Sequence, residues 1–327
     1  MTEQDSLDRH LTIEALRASE AAAIAAAELV GKGDERQADR VAAEAMRKAL
    51  NRVAVDGTVV IGEGERDDAP MLFIGEKVGS GGGPNVDIAV DPLEGATIAA
   101  TGGANAMSVV AFSEPGGLLH APDVYMDKLA VGGGLPVGLI DLGEAPADVI
   151  RSLAGARGVD TSDIVACILN RPRHEETIAE VREAGARIRL IPDGDVAGVI
   201  ATSTPASGID IYLGIGGAPQ GILAAAALRC VGGQMQARLV FRGDDERSRA
   251  HALGIEDLNR RYELDDLARG DVIFAATGVT DGNMLDGVRR EGSLATTHSL
   301  VMRSRTGTMR WVRSRRDLTK SPFIDDV

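Results

Sequence analysis

The chain of 327 residues is 44% hydrophobic and 26% charged, carries 40 glycines and has a formal net charge of −14 at pH 7. Its length bounds it to one large or two packed domains, and its acidity argues against general nucleic-acid or anionic-membrane binding. Aromatic residues make up only 3%, so the core has to be built from Ala, Val, Ile and Leu, and a phosphorylated ligand has to be neutralised locally by cations or arginines.

Met1 to Arg17 is polar and acidic, and the Ala-rich run from Ala21 to Val30 is short and flanked by Glu20. Neither a signal peptide nor a membrane span is expected, and a cytoplasmic location is. Leu11 to Val30 is patterned as a helix closed by Gly31-Lys32-Gly33-Asp34, and a second helix is predicted from Asp39 to Leu50. Gly57 to Glu65 reads as a short β-branched strand opening into a glycine-flanked acidic turn, and Gly79 to Pro84 as a loop. Val86 to Asp91 is a buried strand that Pro92 is expected to stop; Gly95 lets the backbone approach a ligand, and a helix follows it. Further strands are predicted at Asn105 to Phe112 and Lys128 to Val131.

Beyond Gly155 strands and helices alternate. Strands are predicted at Ile164 to Leu169, Ile188 to Ile191, Ile209 to Ile215 and Val272 to Ala276, with helices at His174 to Ala184, Val196 to Thr202 and Gln220 to Cys230. This order predicts an α/β fold with a mixed or parallel sheet. A boundary is placed near residue 160, giving an α+β domain over 1–160 and an α/β domain over 161–327. Arg303 to Arg316 is predicted as an exposed hairpin around Thr306-Gly307, on which the arginines and Trp311 are alternating charge rather than a nucleic-acid face. Cys167 and Cys230 lie singly in apolar runs and are expected to be buried thiols.

Four constellations carry chemistry. Asp39, Glu63, Asp91 and Glu94 each stand at an element end or glycine turn, and such a set of hard oxygen donors suits one or two Mg²⁺ or Mn²⁺ ions, which activate water for phosphate-ester hydrolysis. Asn170-Arg171-Pro172-Arg173-His174 places two guanidiniums after a strand, where they grip a phosphate or simply form a basic turn. Pro192-Asp193-Gly194-Asp195 also follows a strand; Asp195 is expected to cap the next helix, or the acids to hold sugar hydroxyls. Gly214-Ile-Gly216-Gly217-Ala-Pro219-Gln220-Gly221 is read as a glycine-rich turn at a helix N-terminus, suited to an anion, but it lacks the dinucleotide spacing. His120, His174 and His298 adjoin no metal-spaced partner and receive no catalytic role.

These segments together resemble the class II fructose-1,6-bisphosphatases of the lithium-sensitive sugar-phosphatase superfamily. The resemblance is carried by Gly31-Lys-Gly-Asp34 with Asp39, Asp56 to Glu65, Ala69-Pro-Met-Leu72, Asp87-Ile-Ala-Val-Asp91-Pro and Ala121-Pro-Asp-Val-Tyr125-Met. It continues in Arg171-Pro-Arg-His174, Pro192-Asp-Gly-Asp195, Gly214 to Pro219 and Ala275-Ala-Thr-Gly278, and covers about residues 10 to 320. It implies a layered α/β sugar-phosphatase fold, a homo-oligomer (dimer or tetramer), Mn²⁺ or Mg²⁺, and hydrolysis of the 1-phosphate of fructose 1,6-bisphosphate, with sedoheptulose 1,7-bisphosphate a further substrate of some members. The implied metal ligands are Asp39, Glu63, Asp91 and Glu94. The implied substrate contacts are Glu94, Gly95, Ala96, Tyr125, Arg171, Pro172, Arg173, Asp193, Gly194, Asp195 and Gly217.

Three positions depart from the family pattern. Ala96 stands where the family has a threonine that positions the attacking water, with Thr97 following it. Gln220 replaces a metal-binding glutamate and retains only an amide oxygen, and Glu35 replaces a lysine near the first carboxylate. The alternative implied by these changes is a catalytically weak or silent paralogue that binds sugar phosphate, or a variant in which Ala96 traps substrate.

Overall fold

The computed structural model describes residues 11–64 and 70–320; Glu65, Ala69 and the first ten residues, on which parts of the predictions fall, lie outside the described residues. In chain order the elements are α1 (Leu11–Ala27), α2 (Glu35–Leu50), β1 (Asp56–Ile61), β2 (Lys77–Val78), β3 (Asn85–Glu94), α3 (Ala96–Thr101) and β4 (Met107–Ser113). Then follow β5 (Tyr125–Val131), α4 (Pro146–Arg157), β6 (Val165–Leu169), α5 (Glu175–Glu183), β7 (Arg187–Ile191), α6 (Asp195–Ala201), β8 (Ile211–Gly217) and α7 (Ala218–Val231). The chain continues through β9 (Gln234–Val240), α8 (Asp244–Ala252), β10 (Arg261–Glu263) and α9 (Leu264–Leu267), and ends in β11 (Val272–Gly278), β12 (Arg289–Glu291), β13 (Leu294–Arg303) and β14 (Thr308–Asp317).

The mixed α/β class is as predicted, but the division is not a single cut near residue 160. One compact unit joins the residues up to Leu118 with those from Gly270 onward, and Leu119–Arg269 forms the other. The cause is a long-range strand pairing: β11 runs antiparallel between β4 and β13, with Val272 opposite Ser113 and Gly278 opposite Met107. The last four strands thereby belong to the sheet begun by the first four.

In the first unit the eight strands run in the order β12-β13-β11-β4-β3-β1-β2, with β14 on β13. Helices α1 and α2 pack on each other and on this sheet through alanines (Ala15, Ala18, Ala22, Ala38 and Ala42) that bring backbones close while burying little side-chain entropy. Helix α2 starts at Glu35, four residues before the predicted start, because the Asp34 side chain accepts the Gln37 N–H at 3.0 Å and caps it. The predicted hairpin is β13–β14, turning through Ser304–Thr306 and Gly307. Its charge is largely internal, since Arg305 pairs with Asp271, Arg313 with Asp286 and Arg316 with the buried Glu20.

Strand β3 does not stop at Pro92. It runs to Glu94, and its pairing with β4 shifts register between Asp91 (opposite Val109) and Glu94 (opposite Met107). Three residues advance on β3 while two advance on β4. A bulge is one of the few places where a strand tolerates proline, because a ladder N–H is not required there.

The second unit is a six-stranded mixed sheet in the order β10-β9-β5-β8-β6-β7, with β6 parallel to both β7 and β8 and the other pairs antiparallel. Its core joins Leu129, Ile168 and Ile211 of the sheet to Ile150 and Leu153 of α4 and Val181 of α5. Both cysteines are buried and free, and no described helix is long and apolar enough to cross a membrane.

Leu72, ahead of β2, is held by one buried carboxylate. Glu76, 6% exposed, accepts Arg47 Nε of α2 at 2.5 Å and the backbone N–H of Leu72, while the Leu72 carbonyl accepts the N–H of Glu63 at 3.0 Å. Glu76→Ala strands a buried N–H, and a loss of about 2 kcal/mol is expected from the urea midpoint at unchanged slope. Arg47→Ala should cost less, because that side chain is 46% exposed.

Candidate active site

The first unit holds the acids. Asp39 lies in the second turn of α2, half-buried, and shares a hydrogen bond with Glu63 at the turn after β1. Burial pushes the Asp39 carboxyl above its ordinary value, and the bond to Glu63 pulls it part of the way back. Asp91 and Glu94 are 8% and 2% exposed at the end of β3. Residues three apart on a regular strand point to opposite faces. The register shift changes that parity: the partners Val109 and Met107 are two apart, so Asp91 and Glu94 share a side of the sheet.

The structure thus brings Asp39 to Glu63 and sets Asp91 beside Glu94. Among the described residues no three acid, His or Cys side chains already stand as a closed cage. The donor set nonetheless fits a hard cation in kind: all four side chains are carboxylates, and two of them, Asp39 and Glu63, are within hydrogen-bond reach of each other.

Local backbone geometry supports these positions. Gly31 and Gly33, both with positive φ, donate their N–H groups to the carbonyls of Ala99 and Ala100 at 2.9 Å, tying the entry of α2 to the end of α3. Gly95 (φ +85°) is the N-cap of α3, and an added Cβ there would stand 3.2 Å from Ile98 Cδ1. Ala96 packs partly buried against the core, whereas Thr97, one position around the helix, is exposed. Glu35 is exposed in the first turn of α2, where a negative charge favours the helix dipole.

The second unit holds the basic and glycine-rich segments. Pro172–His174 forms one 3₁₀ turn after β6. His174 is buried; its Nδ1–H donates to the Leu169 carbonyl at 2.7 Å and its Nε2 accepts the Ile215 N–H at 2.7 Å, which fixes a neutral imidazole. Arg173 donates Nε and Nη2 to the Ile215 carbonyl at 2.9 and 2.8 Å and lies 4.9 Å from the Tyr125 ring centroid. Arg171 is half-buried beside it and donates to its neighbour's carbonyl, that of Asn170, at 3.3 Å. Asp127, Asp141, Arg173, His174 and Thr177 line a cavity of about 190 Å³.

Two predictions are corrected here. Asp195 does not cap α6: Gly194 (φ +86°) is the N-cap without a side-chain bond, and its N–H donates to Asp193 Oδ1 at 3.0 Å. Asp195 instead turns inward, 5% exposed, and accepts Lys128 Nζ, which also donates to the Gly217 carbonyl at 2.9 Å. The glycine-rich segment is not a turn either, because β8 runs through Gly217. Its glycines admit neighbours: a Cβ on Gly216 would lie 2.2 Å from Asp195 Oδ2, one on Gly217 2.0 Å from Gln220 Oε1, and one on Gly214 3.0 Å from His174 Nε2. Lys128 was missed by the sequence reading; its one signal is a lysine leading directly into the apolar run Leu129 to Val131.

Carboxylates at a bulged strand end of the first unit, and arginine and acidic turns after strands of the second, are residue types that phosphoric monoester hydrolases use. The family model described as "Bacterial fructose-1,6-bisphosphatase, glpX-encoded" matches residues 9–316, and the chain belongs to that family. It is 47% identical over 320 residues to fructose-1,6-bisphosphatase 1 class 2 of Escherichia coli (strain K12), covering 94% of this chain and 95% of the relative. The class 2 enzymes of Escherichia coli O6:H1 and Shigella flexneri show the same identity and coverage.

Gly216→Ala forces a methyl into the Lys128–Asp195 pair, and a loss of about 3 kcal/mol or failure to accumulate folded protein is expected by thermal denaturation. Burial depresses the His174 pKa below its ordinary 6.5. The unfolded chain therefore takes up this proton first, so stability should fall as pH drops below about 6.5 and be insensitive to this group above it. In His174→Gln that part of the pH dependence disappears, read from urea unfolding at pH 7.5 and 5.5.

Proposed function

We propose that this chain hydrolyses the 1-phosphate ester of fructose 1,6-bisphosphate, using Mg²⁺ or Mn²⁺, as a homo-oligomer (a dimer or tetramer). Sedoheptulose 1,7-bisphosphate is the second substrate of the same class. The observation that carries the reading is the family match over residues 9–316, nearly the whole chain, a span that includes Asp39, Glu63, Asp91 and Glu94.

In this reading Asp39, Glu63, Asp91 and Glu94 hold the cations, with the amide oxygen of Gln220 a weaker, uncharged ligand. Bound there, a divalent ion polarises the phosphoryl oxygen and lowers the pKa of attacking water. Tyr125, Arg171 and Arg173 bind phosphate; Pro172 sets the direction of the two guanidiniums. Asp193 and the remaining lone pairs of Asp195 accept sugar hydroxyls, while Gly194 and Gly217 leave room for the sugar. The N–H groups at Gly95 and Ala96 face the ester, and the Ala96 methyl cannot orient water, so the chemical step is slow. Thr97 is exposed and offers the nearest hydroxyl in sequence.

Phosphate release from fructose 1,6-bisphosphate in the presence of Mn²⁺ is the direct assay. Turnover should vanish with EDTA and fall about a hundredfold or more in Asp91→Asn; turnover indifferent to both would remove the proposal. Ala96→Thr should raise kcat by about ten- to a hundredfold with little change in KM, and Gln220→Glu should lower the metal concentration at half-maximal rate.

A further inference from the structure

Tyr125 opens β5 opposite Gly217 of β8 on one side and Val240 of β9 on the other. Gly217 has no side chain, and the Arg173 guanidinium lies against the ring, 4.9 Å from its centroid. Two residues beyond Val240, Arg242 brings a second guanidinium to the same ring at 5.0 Å. Val240, the cross-strand partner of Tyr125, is the last residue of β9, and Arg242 lies in the bend that follows it.

Arg242 is held in place from behind. Glu246, 6% exposed in the first turn of α8, accepts the Arg242 backbone N–H at 2.6 Å and its Nε at 2.7 Å. Arg173 is held likewise through Nε and Nη2 on the Ile215 carbonyl. In both side chains the anchoring contacts use Nε and Nη2, and Nη1 takes no intramolecular partner among the described residues. Both ends are solvent-accessible, the Arg242 side chain being 64% exposed.

Two guanidiniums on one ring repel each other at less than about 10 Å, the screening length in 0.1 M salt. Such an arrangement gains when a multiply charged anion is shared between them, and a planar guanidinium with free N–H groups matches phosphate oxygens. The buried carboxylate behind Arg242 supplies orientation, so little side-chain entropy remains to be lost on binding.

We propose that Arg242 is a phosphate-binding residue, forming with Arg173 and Tyr125 the subsite for the phosphate that stays on the sugar. The spot is built from two guanidiniums and a phenol ring, with the acids Glu246 and Asp123 acting on Arg242, so the subsite provides binding and not bond cleavage. The inference rests on the sugar-bisphosphatase reading and adds to it a residue that sets substrate affinity.

The test measures equilibrium binding of fructose 6-phosphate by calorimetry, together with steady-state kinetics on fructose 1,6-bisphosphate. Wild type, Arg242→Gln, Arg242→Lys and Arg247→Gln are compared; the last removes the same charge from an exposed pair with Asp244 on α8. Support requires a rise of about ten- to a hundredfold in the Kd and KM of Arg242→Gln, the worth of a lost charge-assisted contact. It also requires kcat within about threefold of wild type, an intermediate Arg242→Lys and an unchanged Arg247→Gln. Wild-type affinity in Arg242→Gln with a lowered Tm would make Arg242 merely structural and overturn the inference, leaving the bisphosphatase reading standing. Wild-type protein that neither binds fructose 6-phosphate nor hydrolyses the bisphosphate would overturn both.

Discussion

A β-strand has a period of two, so two side chains meant for one side of a sheet have to be an even number of residues apart. Asp91 and Glu94 are not. The extra residue at the bulge restores the parity and gives Pro92 a position where its missing N–H costs nothing, while Gly95 then turns the chain into α3 in a conformation open to glycine. The remaining supports follow from this junction. The Gly31–Gly33 loop hangs on the carbonyls at the end of α3, which sets where α2 begins and hence where Asp39 lies.

The same chain handles four of its other buried carboxylates by a different rule. Glu20 meets Arg316 and Thr297, Glu76 meets Arg47 and the N–H of Leu72, Asp195 meets Lys128, and Glu246 meets Arg242. Each pairing compensates the desolvation of an anion and at the same time orients the partner, a trade that favours geometry over net stability. In an acidic molecule this local matching matters more than the overall field, because it is what leaves arginines standing at chosen places on a surface that otherwise repels phosphate.

Much of this was legible in the sequence where signals are local. Apolar runs marked β3, β6, β7 and β8, and the hairpin was evident from Thr306-Gly307. The acids at Asp39 and Glu63 were recognisable from the glycine turns before them, although their hydrogen bond was not. What stayed hidden depends on distant residues. No local pattern says that Val272 will lie opposite Ser113, so the return of the chain to its first sheet was missed and the boundary misplaced. The glycines of β8 were mistaken for a turn because close packing and chain reversal call for the same residue; only the positions of Asp195, His174 and Gln220 tell them apart. β9 was overlooked although Gln234 to Val240 alternates, since its polar residues blur the contrast. Arg242 carries no sequence signal at all, as its meaning comes from a tyrosine on a neighbouring strand.

The split make-up of the first unit bears on how the molecule is made. Leu119–Arg269 is complete in sequence before the ribosome has reached β11, so this inserted stretch has all its own strands available early. The host sheet must meanwhile wait with β4 lacking its neighbour on one side, an open ladder of N–H and C=O groups exposed until the last strands emerge. Nascent chains of this protein therefore spend their most adhesive interval late in translation, when a stalled or shortened product would leave that edge uncovered.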